Sequence, residues 1–232
     1  MKSTKDNACV LVLMCKRPRP GVSKQRIAAT AGIDAAHRLS LLLVDCALED
    51  LNAWQGPRVI AVAEADDLPW AESLPVDAKI MHQAPGNLGE RIMSIDTTID
   101  DDEAPRLYIG IDAPSLTPDY LASAGTSLRS HDVVLGAAED GGVVVMGCNG
   151  PWPNLHNLPW STPLLGSALT ALCLDEKRTV ATLATHVDLD HEAQFKQIRD
   201  QLEPDKRQSR EALLSWLNEY ITQTQLDSSR AG

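Results

Sequence analysis

Five basic residues lie within one short segment of an otherwise acidic chain. The chain has 232 residues and a formal net charge of −11, yet residues 16–26 read K-R-P-R-P-G-V-S-K-Q-R. The basic residues of this segment are Lys16, Arg17, Arg19, Lys24 and Arg26. Two prolines stiffen it and Gly21 permits a close backbone approach, while lysine offers a point charge and arginine a fork of donors. The segment predicts a phosphate-binding loop; a solvated basic loop is the alternative.

Three aspartates could hold a divalent cation. Asp112 follows the apolar run R-L-Y-I-G-I and is followed by A-P, so it is expected just past a strand end, exposed yet rigidly framed. Asp188 and Asp190 lie on one side of the extended segment H-V-D-L-D-H-E. Mg²⁺ and Mn²⁺ prefer carboxylate oxygens, so these residues suit a metal site. The structural alternatives are a turn cap at Asp112 and a helix N-cap at Asp190.

Two glycine-containing segments each allow a structural and a functional interpretation. In Q-A-P-G-N-L-G-E-R-I, residues 83–92, Glu90 lies three residues after Asn87, which indicates a capping box. A helix N-terminus with two glycines also suits the base or phosphate of a nucleotide, and both interpretations stay open. In G-A-A-E-D-G-G, residues 136–142, Asp140 precedes two glycines, a pattern that taken alone favours a hairpin turn.

The apolar patterns predict strands that alternate with helices. Strands are expected over 9–15, 58–63, 79–82, 106–111, 132–135, 143–148 and 179–183. Helices are expected over 34–51, 88–99, 118–128, 163–174, 191–202 and 209–222, the fourth capped by Thr162. This order predicts an α/β fold with a mostly parallel sheet covered on both faces. The strand at 143–148 follows its predecessor too closely for a parallel crossover, so it is expected to be antiparallel.

Composition excludes several classes of protein. The negative net charge argues against nucleic acid or an anionic membrane as the main partner. The five cysteines are scattered without paired spacing, so they are expected to be reduced core residues in a cytoplasmic protein. We predict one domain over residues 8–226, a disordered or extended N-terminus over 1–7 and a frayed tail over 227–232. A monomer or a homodimer is expected.

The order of these motifs along the chain resembles one family. K-x-P-x-P-G-x-x-K-x-R at 16–26, G-x-L-G-E-R at 86–91, G-x-D-x-P-x-L-T at 110–117, E-D-G-G at 139–142 and D-x-D at 188–190 together carry the resemblance. The family is the GT-A-fold, nucleotide-diphospho-sugar transferase-like family also called radical-SAM/selenodomain-associated transferase 1, or arsenosugar-biosynthesis glycosyltransferase-like. The resemblance implies a single-domain Rossmann-like GT-A fold over nearly the whole domain.

The resemblance also implies roles for individual residues. Asp112, together with Asp190, would bind Mg²⁺ or Mn²⁺, and Asp140 and Asp188 would be the catalytic carboxylates on the acceptor side. The residues expected to bind the nucleotide are Lys16, Gly21, Lys24, Arg26, Gln83, Gly86, Leu88, Gly89 and Arg91. The sequence departs from the family at three positions: Gln25 replaces a threonine, Ala113 a cysteine, and Val143 a tyrosine.

Three functions are compatible with these motifs. The first is a metal-dependent glycosyltransferase that uses a nucleotide-sugar donor and a small-molecule acceptor. The second is a nucleotidyltransferase of the same fold, similar to guanylyltransferases, that releases pyrophosphate from a nucleoside triphosphate. The third is a nucleotide-binding protein whose catalysis has decayed, as the three departures allow. The fold alone cannot choose among them, because function resides in the site.

Overall fold

A computed structural model describes residues 8–99 and 104–231. The first half contains β1 (Val10–Cys15), α1 (Gln25–Ala31), α2 (Ile33–Ala53), β2 (Arg58–Val62), α3 (Leu68–Glu72), β3 (Lys79–His82) and α4 (Leu88–Thr98). The second half contains β4 (Arg106–Ile109), α5 (Pro118–Ser127), β5 (Val133–Ala138), β6 (Val143–Cys148), α6 (Leu165–Asp175), β7 (Val180–His186), α7 (Phe195–Leu202) and α8 (Gln208–Ala231). Short 3-10 turns precede α3 and α7.

The strands form one seven-stranded sheet in the order β3-β2-β1-β4-β6-β5-β7. β6 is antiparallel to both of its neighbours, whereas the other pairings are parallel. β1 is central, because Val12 is in register with Val59 of β2 on one side and Tyr108 of β4 on the other. The predicted α/β fold class is therefore confirmed, including the antiparallel strand at 143–148.

β1 contributes side chains to both faces of the sheet. Leu11 and Leu13 belong to a core that includes residues of α2 and α5, whereas Val10 and Val12 belong to a core that includes residues of α4 and α6. Successive side chains of a strand point to opposite faces, so an unbroken apolar run is what a strand covered on both faces requires. Burial of β1 fixes the position of the loop that follows it.

The C-terminal helix α8 is held against α2 by a buried arginine. The Arg210 guanidinium is fully buried, and its Nη2 lies 2.6 Å from a carboxylate oxygen of Asp50 in α2. Its Nη1 donates to the Cys46 carbonyl (2.6 Å) and its Nε to the Pro114 carbonyl (3.1 Å). Pro114 lies in the loop that follows β4, so Arg210 also fixes the loop that carries Asp112.

The structure corrects several predicted elements. α1 begins inside the segment that the sequence predicts as a loop, and α3 was not predicted. The Thr162 cap is wrong: α6 begins at Leu165, and the Thr162 hydroxyl accepts only from the Leu164 amide. The helix cap at Asp190 is also wrong, because His191 precedes the 3-10 turn and Asp190 forms ion pairs instead.

The first residue that the structure describes is residue 8 and the last is residue 231, so the predictions for the two ends have different outcomes. Residues 1–7, expected to be disordered or extended, lie outside the described residues. α8 continues to Ala231, through most of the range predicted as a frayed tail. None of the helices in residues 8–99 and 104–231 combines the length and the apolar character that a membrane span requires.

Candidate functional site

The candidate site lies where the order of the strands reverses direction. The chain moves outward from β1 to β2 and β3 on one side and then returns to place β4 on the other side of β1. The carboxyl ends of β1 and β4 are therefore adjacent, so the loops that follow these two strands begin side by side. Open α/β sheets bind ligands at such a point. The loops concerned are the basic segment after Cys15 and the segment after Ile109 that carries Asp112.

Lys24 connects the basic loop to the aspartates. Its Nζ lies 2.7 Å from Oδ1 of Asp112 and 3.0 Å from Oδ1 of Asp190, and it donates to the Leu189 carbonyl at 2.5 Å. Only 6% of the Lys24 side chain is exposed. Burial acts to lower the pKa of Lys24, but the charges of Asp112 and Asp190 outweigh it, so that the pKa is raised and the side chain stays cationic.

The backbone of Lys24 is in the left-handed region, with φ 50° and ψ 50°, just before α1 begins. A lysine in that region is uncommon and costs free energy unless surrounding contacts fix it. The contacts to two aspartates supply that restraint. Arg19 also holds this loop in place, because its Nη2 lies 2.5 Å from Oδ1 of the fully buried Asp67.

Asp112, Asp188 and Asp190 form one cluster. One carboxylate oxygen from each lies within 4.8 Å of the other two. The Leu189 amide donates to the Asp112 carbonyl at 2.8 Å, which ties the loop after β4 to the segment after β7. Arg26 lies on the outer side, with its Nη1 3.0 Å from Oδ2 of Asp190.

The donors of this cluster fit a hard divalent cation. Oδ1 of Asp188 is buried and has no hydrogen-bond partner among the described residues. A buried carboxylate oxygen without a partner is costly, and an oxygen-seeking cation such as Mg²⁺ or Mn²⁺ would satisfy it. When all three carboxylates are ionised, they outnumber the cations Lys24 and Arg26, so negative charge is left for such an ion to neutralise. The cluster is therefore able to hold the predicted metal.

Burial and neighbouring negative charges raise the pKa of Asp188. Burial, followed by the charges of Asp112 and Asp190, raises its pKa to about 7, although Lys24 acts in the opposite direction. Because the folded protein binds this proton more tightly than the unfolded chain does, the contribution of Asp188 to stability falls as the pH rises from about 4 to about 7. Above pH 7 the ionised carboxylate destabilises the cation-free protein.

Asp188→Asn is therefore expected to stabilise the cation-free protein at pH 8 by about 2–4 kcal/mol, with little effect at pH 4. Urea unfolding in the presence of a chelator at both pH values measures this difference. Asp175→Asn, at an exposed position on α6, is the matched control and should change neither value. A stabilisation by Asp188→Asn of equal size at both pH values would contradict the raised pKa.

The glycine segment at the start of α4 forms the predicted capping box. The Asn87 side chain accepts from the Glu90 amide (3.0 Å) and the Glu90 carboxylate accepts from the Asn87 amide (2.7 Å). Gly89 is required by packing, because a Cβ there would lie 2.6 Å from the Leu155 carbonyl. The structural interpretation of this segment is confirmed, and the nucleotide-binding interpretation stays a prediction.

Gln83, directly after β3, and Arg91, in α4, also have side chains that bond to backbone carbonyls near this segment. Gln83 is buried and donates to the Ala61 carbonyl at 2.6 Å, and Arg91 Nε donates to the Gly86 carbonyl at 2.9 Å. Gly86 has φ +117°, a conformation that favours glycine. These predicted nucleotide-binding residues thus lie together at the ends of β2 and β3.

Two cavities meet at Asp112. The first, about 370 Å³, is lined by basic and polar side chains and is called the basic cavity here. Its charged lining residues are Lys16, Lys24, Arg26, Asp112 and Asp190. The second, about 280 Å³, is called the apolar cavity and contains Asp112 and Asp188 in a largely apolar wall. Met14, Gly110 and Asp112 line both. The predicted phosphate and metal residues are thus brought together.

Six predicted residues line neither cavity: Gly21, Asp140, and the four residues Gln83, Gly86, Gly89 and Arg91 near the start of α4. Gly21 has φ +71°, which suits a tight turn of the basic loop. Asp140 is exposed in the turn between β5 and β6, where its Oδ1 accepts from the Gly142 amide at 2.9 Å, so the turn interpretation is confirmed. The charge of Asp140 nevertheless contributes to the raised pKa of Asp188, and its catalytic role stays a prediction.

Ser23 is a site residue that the sequence analysis missed. It lines the basic cavity next to Lys24, and its hydroxyl is buried without a partner among the described residues. A buried hydroxyl that faces a cavity needs a ligand or water. The only signal for Ser23 in the sequence is its position inside the basic segment.

Residues 47–162 match the model of a family described as uncharacterized protein conserved in bacteria (DUF2064). The chain belongs to this family. The DUF2064 match covers half of the chain and includes Asp112, whereas Lys24 and Asp188 lie outside it. No protein of curated function matches the sequence.

Solved structures share the fold of this DUF2064 chain. A protein from Desulfovibrio desulfuricans G20, provisionally named a nucleotide-diphospho-sugar transferase, superimposes with a TM-score of 0.80 at 22% identity, over 93% of this chain and 97% of its own. A nucleotidyl transferase from Methanothermobacter has a TM-score of 0.54 at 15% identity (83% and 96% covered). The inositol-1-phosphate CTP transferase from T. maritima has a TM-score of 0.51 at 11% identity (92% and 97% covered). The predicted GT-A-like fold is confirmed.

Proposed function

We propose that this protein is a metal-dependent glycosyltransferase that uses a nucleotide-sugar donor and a small-molecule acceptor. The observation that carries the proposal is the contact of Lys24 with Asp112 and Asp190 at the point where the strand order reverses. This contact joins a basic loop, suited to phosphates, to carboxylates suited to a cation. The fold shared with a provisionally named nucleotide-diphospho-sugar transferase supports the same conclusion.

In the proposed reaction the diphosphate of the donor lies in the basic cavity. Lys16, Lys24 and Arg26 offset the negative charge that develops on the leaving nucleoside diphosphate. Asp112 and Asp190 would hold Mg²⁺ or Mn²⁺, which neutralises the same charge as a Lewis acid. The predicted nucleotide-binding residues at the ends of β2 and β3 would receive the base and ribose. These roles require no rearrangement of the sheet.

The acceptor would enter from the apolar cavity. Asp188 lines that cavity and not the basic one, so its carboxylate is placed to accept the proton of an acceptor hydroxyl. Asp140, in the exposed β5–β6 turn, is the second candidate catalytic carboxylate.

Nucleotidyl transfer is the second candidate function. A nucleotidyl transferase and a CTP transferase share the fold, although with lower TM-scores than the structure from Desulfovibrio desulfuricans. The same basic cavity and cation would serve attack on an α-phosphate, with pyrophosphate as the leaving group. The two functions differ in which phosphate product is released.

Phosphorus NMR of the reaction products tests the proposal. Purified protein with Mn²⁺ is expected to release a nucleoside diphosphate from one nucleotide sugar in a panel, and chelator should stop the release. Asp112→Asn protein, prepared in parallel, identifies any contaminating activity. Pyrophosphate released from a nucleoside triphosphate would replace glycosyl transfer by nucleotidyl transfer. Turnover of neither class of donor, despite nucleotide binding, would leave the protein as a nucleotide-binding protein without catalysis.

A further inference from the structure

The wall of the apolar cavity has a composition unlike that of the basic cavity. Its apolar side chains include Met14, Leu88, Ile92, Val143, Met146 and Leu165. Among the described residues that line it, only Tyr108, Asp112 and Asp188 have polar side-chain atoms. The Tyr108 hydroxyl already donates to the Asp96 carboxylate at 2.9 Å, on the buried side of the sheet. The two aspartates are therefore the polar side-chain groups available to a ligand.

The three aspartates divide between the two cavities. Asp190 lines the basic cavity, Asp188 lines the apolar cavity, and Asp112 lies at their junction. A ligand in the apolar cavity thus has its polar end beside Asp188 and its remaining surface against carbon. A molecule with hydroxyl groups around its whole perimeter would leave them without partners on that wall, whereas an apolar body would fill it favourably.

The size of the apolar cavity suits a small ring or a short chain. A closed apolar cavity of about 150 Å³ is enough to bind benzene. The volume here is about 280 Å³, and Leu88, which is 40% exposed, stands at the boundary with solvent. Val143 adds a further apolar side chain to this wall.

We infer that the acceptor is an alcohol with an apolar body, its hydroxyl at Asp188 and its aromatic or aliphatic carbon skeleton in the apolar cavity. This inference rests on the proposed function for the role of the hydroxyl, and on the cavity wall for the nature of the body. It excludes a sugar or another polyol as the group held in this cavity. In the transfer, the hydroxyl oxygen bonds to the anomeric carbon of the sugar and its proton passes to the Asp188 carboxylate. The bond between that carbon and the phosphate oxygen breaks, and its electron pair leaves with the nucleoside diphosphate.

Binding of 4-(trifluoromethyl)benzyl alcohol, followed by ¹⁹F NMR on the full-length protein, tests the inference. The probe is expected to bind, to be displaced by hexan-1-ol, and to be unaffected by equal concentrations of glycerol or glucose. Leu165→Asn should weaken probe binding about tenfold, because it places an unpaired amide in the wall. Leu174→Asn, at an exposed position of the same helix, is the matched control and should have no effect.

Further variants and ligands separate the outcomes. Val143→Thr adds one hydroxyl to the wall at nearly constant volume and should lower the affinity for the probe about threefold. This variant keeps the test valid if Leu165→Asn does not fold. Equal displacement by glycerol or glucose, absence of probe binding, or binding unchanged in Val143→Thr and in folded Leu165→Asn would each overturn the inference. Calorimetry with nucleoside diphosphates and Mn²⁺ is run in parallel, because loss of nucleotide binding would refute the proposed function irrespective of the probe.

Discussion

Asp112→Asn is expected to weaken Mn²⁺-dependent binding of a nucleoside diphosphate by at least about 100-fold. Groups outside the first coordination shell typically change metal affinity 10- to 100-fold, and a direct ligand should exceed them. The substitution keeps the shape of the side chain but removes the charge that faces both the proposed cation and Lys24, 2.7 Å away. Isothermal titration calorimetry with and without Mn²⁺ measures the loss.

The control for this variant is Asp119→Asn. Asp119 is exposed on α5 and lines a different cavity, beside Trp54, so its removal should leave nucleotide binding unchanged. Circular dichroism verifies that Asp112→Asn is folded, because the substitution removes a charge that pairs with Lys24 as well as one that repels the buried Asp188. Wild-type affinity in a folded Asp112→Asn protein would show that this residue caps a turn and holds no cation.

Arg210→Met is expected to lower the free energy of unfolding by about 3–5 kcal/mol, because it leaves the buried Asp50 carboxylate short of a partner. Arg207, whose Nη1 lies 2.6 Å from Oδ1 of Asp50, is retained in this variant, so we expect a loss near the lower end of that range. For a chain of this size such a loss corresponds to a fall in melting temperature of about 10 °C. Urea unfolding measures the free energy.

Arg129→Met is the control, because it removes an arginine from an exposed position. It should lower the free energy of unfolding by less than about 0.5 kcal/mol. The Asp50→Asn single variant and the Arg210→Met/Asp50→Asn double variant complete a cycle that isolates the ion pair. A cost of Arg210→Met no greater than that of Arg129→Met would refute the role of the buried network in holding α8 and the loop after β4.

Local patterns were sufficient to predict the sheet and several of its helices. β3 and β6 begin and end where the sequence predicts, because each is a short apolar run bounded by turn residues. The antiparallel direction of β6 follows from the short connection before it. The capping box at Asn87 and Glu90 was predictable because both bonds form within four residues.

Contacts between distant segments explain what the sequence could not predict. Lys24 contacts Asp190, which lies 166 positions later in the sequence. This contact stabilises the left-handed backbone of Lys24, directly before the start of α1. The local sequence there is typical of a loop. α6 likewise starts two residues later than the proline pattern indicates, where the Gly166 amide donates to the Gly141 carbonyl of another turn. Such partners depend on tertiary structure, which local periodicity does not contain.

The division of the site into a basic and an apolar cavity also required the structure. The sequence names Asp112, Asp188 and Asp190 as possible metal ligands, and the family resemblance implies a catalytic role for Asp188 and a metal-binding role for Asp190, but neither shows which cavity each side chain lines. The two side chains line different cavities because Asp190 faces Lys24 and Arg26 while Asp188 faces the wall beside Leu165. This geometry supports the different roles that the resemblance implies for the two neighbouring aspartates.

The most direct test of the cation-linked diphosphate site is calorimetric titration of the wild-type protein with nucleoside diphosphates, first in Mn²⁺ and then in chelator. We expect at least one nucleoside diphosphate to bind in Mn²⁺ and its affinity to fall by at least about 100-fold in chelator, as in Asp112→Asn. Equal affinity in both conditions would contradict the role of the aspartate cluster, and no binding of any nucleoside diphosphate would contradict the proposed function itself.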